Sequence, residues 1–62
     1  MKPLREMLSF NLMMVFYLNG NLVARHGWDQ PIDYNSGYLF TADDQTAKDW
    51  MVVVVEAEEE ND

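Results

Sequence analysis

Apolar residues crowd residues 7–18 and the stretch from Trp50 onward, and polar residues fill most of the region between. In the first block, Leu8, Leu12, Val15 and Phe16 recur at helical spacing. Met7, Phe10, Met13, Met14 and Tyr17 widen that stripe until it nearly encircles the segment. The spacing predicts a helix over residues 3–18, with Pro3 in its first turn and Gly20 as the left-handed residue that ends it. A helix apolar on most sides must bury more than one face.

Leu22 to Arg25 reads as a short strand with Val23 inward, and residues 29–37 have the composition of a loop. Residues 37–41 read as a second strand. Thr41 suits the cap of a short helix over residues 42–48, with Asp43 and Asp44 at its positive end and Lys48 at its negative end. Residues 50–55, β-branched and unbroken, give the clearest strand. The expected fold is α+β: an N-terminal helix packed on an antiparallel sheet of about three strands, with a short helix before the last. Residues 1–55 make one domain, and residues 56–62 an acidic tail that composition marks as disordered.

Size and charge narrow the picture. A chain of 62 residues builds one thin core, and its 48% apolar content exceeds what such a core hides. Without cysteine, neither disulfides nor thiolate metal sites can reinforce it. His26 alone cannot make a zinc site, so no metal or other cofactor is expected. Oligomerisation through the apolar helix is the remaining reinforcement. The net charge of −7 comes from eleven acids against four scattered bases, which disfavours direct nucleic-acid binding and anionic membranes. The apolar run is also shorter than the roughly 20 residues a bilayer span needs, so a cytoplasmic protein is expected.

Catalysis finds few candidates. Ser9 and Ser36 lack the glycine context of an activated nucleophile, and there is no Gly-rich phosphate loop. Asp43 and Asp44 are explained by the helix dipole, not by acid–base chemistry. Trp28 suits either stacking on a purine or anchoring the core. Arg25 suits either a phosphate or a surface pair with Asp29 or Asp49. Tyr34 and Tyr38 suit a pocket mouth, and Trp50 suits the core.

The pattern Phe10-x-x-Met13-Met14 continues through Gly20 and Val23-Ala24-Arg25 to Gly27-Trp28-Asp29. Together with Ala47-Lys48-Asp49-Trp50-Met51-Val52-Val53, it resembles the second type of Thoeris anti-defence family. The two stretches run over about 19 and 7 positions. The resemblance implies a phage protein that acts in the host bacterial cytoplasm. It further implies an oligomer that binds and sequesters a cyclic nucleotide immune signal without turnover. On that footing Arg25, Trp28, Tyr34 and Tyr38 are the ligand-binding candidates. Asn21 and Leu22 stand where the family carries two lysines, and the middle portion of the chain is shorter than the family's.

A second expectation belongs to another class. Asp43, Asp44, Asp49, Glu56, Glu58, Glu59 and Glu60 offer negative charge to a basic, nucleic-acid-binding surface of a host enzyme, which the protein then inhibits by occupancy.

Overall fold

The computed structural model describes residues 1–55. Its elements run β1 (Lys2–Leu8), α1 (Phe10–Leu18), β2 (Leu22–Arg25), a 3-10 turn (Tyr34–Ser36), α2 (Ala42–Thr46) and β3 (Trp50–Val54). The three strands form one antiparallel sheet in the order β1-β3-β2, so the last strand inserts between the first two. The α+β expectation therefore holds, with the helix on a three-stranded sheet and a short helix before the last strand.

Three elements differ from the expectation. Residues 2–8 are a strand, not the first turns of α1. The helix begins after Ser9, whose hydroxyl accepts the Leu12 amide at 3.3 Å. The apolar spacing ran straight through that cap because β1 is held by distant pairing with β3, which local periodicity cannot register. Residues 37–41 are not a strand either. They leave the 3-10 turn as irregular chain, because Tyr38 and Phe40 are drawn into an aromatic cluster instead of a ladder. Within α2 the helix stops at Thr46, so Lys48 lies beyond its end.

α1 forms because residues 10–18 carry neither Gly nor Pro, and Gly20 at φ 94° lets the chain leave the helix. The amides of Asn19 and Gly20 close on the carbonyls of Phe16 and Tyr17 at 3.1 Å. Gly27, at φ 92°, makes the turn in which the Trp28 amide returns to the Arg25 carbonyl at 3.1 Å.

β3 alternates across the sheet: Trp50 and Val52 join Leu8, Met13, Tyr17 and Val23 beneath α1, while Met51 and Val53 meet Ala24 on the opposite face. Trp50, Met13 and Val23 are fully buried. The β1 edge is irregular, with register shifts on both sides of Arg5 and a positive φ of 58° at Met7. Such bulges twist an edge strand away from pairing with another chain. On the far side, Ile32 bridges to Val23 and covers part of β2. α1 keeps Leu12, Val15 and Leu18 on its outward side, each about half exposed. Among the described residues, no helix is long and apolar enough to cross a membrane.

Candidate functional site

The ends of β2 and β3, the Arg25–Trp28 turn and α2 converge on one cluster of charge. Arg25 pairs with Trp50 across the sheet, which sets its side chain beside α2. Its Nη1 donates to Asp43 Oδ2 at 2.9 Å and to Asp44 Oδ1 at 3.1 Å, while Nε donates to Asp49 Oδ1 at 3.0 Å. Three carboxylates thus surround one guanidinium. The bonds from Asp43, then Asp49 and Asp44, raise its proton affinity above the ordinary arginine value. Of the two pairings the sequence allowed, Asp49 is made, and Asp43 and Asp44 join it in place of Asp29.

Asp44 is the hub of this cluster and is buried at 4% exposure. Its Oδ2 accepts the Tyr38 hydroxyl at 2.6 Å and the Thr41 amide at 3.0 Å, and its own amide donates to Thr41 Oγ1 at 3.1 Å. The last two bonds form a reciprocal capping box at the start of α2. The Asp44 carbonyl also accepts Trp50 Nε1 at 2.9 Å, which satisfies the indole in the core. Burial pushes the carboxyl upward, yet the bonds from Tyr38, Thr41 and Arg25 outweigh it and leave it below its ordinary value. Tyr38 moves the other way, raised first by its bond to Asp44 and then by burial.

The helix dipole accounts for an acid at Asp44 without revealing this hub. Its signal was the three-residue spacing between Thr41 and Asp44, which marks a capping box. Phe40 was missed as well. It sits edge-on to Phe10, Tyr17, Tyr38 and Trp50, with centroids 5.2–5.7 Å apart.

The four ligand-binding candidates fall in two groups. Arg25, Trp28 and Tyr38 lie together: the Trp28 ring is 5.3 Å from Tyr38 and 5.4 Å from Trp50, half-buried against the core. Arg25 and the Tyr38 hydroxyl direct their polar atoms to carboxylates. Tyr34 stands apart on the 3-10 turn, exposed, with its ring 6.3 Å from Tyr17. Trp50 is in the core, as its place before the strand suggested.

None of these four lines the open groove of about 330 Å³ formed where α1 begins and α2 ends, among Ser9, Phe10, Asn11, Thr46 and Lys48. Among the acidic candidates, Asp43 is exposed, Asp49 is half-buried and Asp44 is interior. Glu56, Glu58, Glu59 and Glu60 lie outside the described residues. The chain matches no family model, no curated protein and no solved structure. Among the described residues, no group of His, Asp or Glu is arranged to hold a metal ion.

Proposed function

We propose that this chain is a stoichiometric binding protein that inhibits a partner by applying its acidic surface to a basic one, without turnover. One observation carries this reading: Arg25, the cation expected to grip a phosphate, is already bound by three carboxylates. An anionic ligand approaching Trp28 would meet surplus negative charge instead of a free guanidinium. The net charge of −7 suits a partner surface that itself attracts nucleic acid, in a bacterial host cytoplasm if the Thoeris anti-defence resemblance extends to origin. Asp43 is then a contact residue, while Asp44 serves by holding α2 in place.

The test is titration of the full chain into nucleic-acid-dependent bacterial enzymes. Inhibition should saturate at a fixed stoichiometry, weaken with salt, and weaken sharply when residues 56–62 are removed. Inhibition that ignores salt would sink the proposal.

Sequestration of a cyclic nucleotide is the second reading. The groove holding Phe10 and Lys48 favours it, because it offers an aromatic side chain and a cation away from the Arg25 cluster. Retention and heat release of an intact cyclic nucleotide by the purified protein would support it. Under either reading, self-association would use the outward side of α1, since residues 7–24 carry no charged side chain.

A further inference from the structure

We infer that Asn19–Gly20 is a deamidation site gated by the last turn of α1: the Asn19 carboxamide is converted to a carboxylate only when that turn opens. The inference is independent of what the protein binds.

The reaction needs no other molecule than water. Once the Gly20 N–H has lost its proton, the nitrogen's electron pair bonds to Asn19 Cγ and the side-chain nitrogen leaves as ammonia. Water then opens the resulting succinimide at either carbonyl, giving aspartate or isoaspartate at position 19. A side chain on the following residue crowds the attacking nitrogen, and glycine has none. Asn11 and Asn21 precede leucine, Asn35 precedes serine and Asn61 precedes aspartate, so Asn19 alone precedes glycine.

The fold holds this pair in an unreactive arrangement. Ring closure requires the Gly20 nitrogen to swing over Asn19 Cβ, and at ψ 5° it is turned well away. The Gly20 amide donates to the Tyr17 carbonyl at 3.1 Å, which opposes loss of its proton. The Asn19 carboxamide is committed as well, its Nδ2 donating to the Val15 carbonyl at 2.8 Å. Asn21 completes the lock: its amide and its Nδ2 both donate to the Phe16 carbonyl at 3.0 Å.

The lock is shallow. Tyr17 is the last buried residue of α1, and residues 18–21 are all exposed. Their closure rests on hydrogen bonds that water can replace, which places it among the lower local opening free energies. A nine-residue helix also lends little cooperativity to its final turn. Opening frees the Gly20 amide, the Asn19 carboxamide and the Asn19 ψ angle together.

The product cannot restore the lock. A carboxylate at position 19 has no proton to give the Val15 carbonyl, and it sets negative charge at the negative end of the helix. Isoaspartate also lengthens the backbone within the cap. Modification therefore loosens the turn in one direction, beside Tyr17 and its packing on Tyr34 and Phe40.

The experiment incubates the full chain at mildly alkaline pH, folded or in guanidinium chloride, and locates deamidation by peptide mass spectrometry. In denaturant Asn19 should react first, giving both aspartate and isoaspartate. The folded chain should react there at least about tenfold more slowly, as gating by local opening requires. Asn21→Ala leaves the reacting pair intact, and should speed the folded reaction about two- to fivefold while leaving the denatured rate unchanged. Should that variant not fold, low guanidinium gives the same reading, because deamidation at Asn19 should rise in step with Gly20 amide exchange. Asn19→Asp should speed exchange of the Gly20 and Asn21 amides while residues 50–53 stay protected.

Equal rates in the folded and denatured chain would overturn the gating, as would a folded rate indifferent both to Asn21→Ala and to low guanidinium. Faster reaction at Asn35 or Asn61 in denaturant would overturn the site. Unchanged exchange in Asn19→Asp would overturn the one-way loosening.

Discussion

Replacing Asp44 with alanine tests the central claim that one buried carboxylate holds α2, Tyr38 and the Arg25 cluster together. The change removes one of the two acceptors of Arg25 Nη1 together with the acceptor of the Tyr38 hydroxyl and the Thr41 amide. Hydrogen bonds to a charged partner contribute about 1.5–3 kcal/mol each. Not all of that is lost here. Arg25 keeps Asp43 and Asp49, and removing one of three neighbouring carboxylates relieves their mutual repulsion. Tyr38 is half-buried, so water can take over part of its bond.

The net loss should be about 2–3 kcal/mol, most of it from Tyr38 and from the capping box. A 62-residue domain has a total stability of about 3–9 kcal/mol, so the variant would retain only part of its margin. Urea unfolding followed by the fluorescence of Trp28 and Trp50 measures the change directly. With a slope near 1 kcal/mol per molar urea, the midpoint should fall by roughly 2–3 M. Asp44→Asn keeps one acceptor oxygen and should fall between the two. A loss below about 0.5 kcal/mol for Asp44→Ala, the level of an ordinary surface change, would refute the reasoning.

Other consequences can be checked separately. The Asp44 carboxyl is depressed in the folded state, so its stabilisation is present above the unfolded value near 4 and is lost as pH falls through the lower folded value. The stability gap between wild type and Asp44→Asn should therefore close across that acid window, and a constant gap would contradict it. Tyr38→Phe keeps the ring against Trp28 and Phe40 but removes the bond to Asp44, and should cost about 1 kcal/mol in the same urea assay at neutral pH. Because the Tyr38 pKa is raised, its contribution is present below the ordinary value near 10 and is lost as pH rises through the folded value. Ultraviolet titration should accordingly show a late-ionising contribution from Tyr38 that Tyr38→Phe removes. If α1 mediates self-association, sedimentation should show a concentration-dependent dimer that Val15→Asp abolishes; a species unchanged by Val15→Asp would place any contact elsewhere.

Local chemistry was enough to read several elements from the chain. Gly20 ends α1 because glycine tolerates positive φ, Thr41 caps α2 because its hydroxyl reaches a free amide, and residues 50–54 form a strand because β-branched side chains suit a pleated surface. Trp50 as core followed from the cost of exposing an indole. The candidate site was less legible. The sequence placed Arg25, Trp28, Tyr38 and the acids as candidates, but Arg25 and Trp28 each suited either a ligand or an internal partner, and nothing local joined Tyr38 to an acid.

Tertiary structure made the choices that depend on residues far apart. Residues 2–8 become a strand only because β3 arrives some fifty positions later to pair with them, an energy absent from local periodicity. Arg25 meets Asp43, Asp44 and Asp49 only when β2, α2 and β3 are brought together, so its freedom to meet a phosphate was never a local property. Tyr38 and Phe40 give up a ladder because the aromatic cluster and Asp44 offer more burial and a stronger acceptor. Residue chemistry alone specified the end of α1 at Gly20, the cap of α2 at Thr41, the last strand, the α+β class and the charge; the assembled fold decided which polar groups are consumed within the molecule and which face outward.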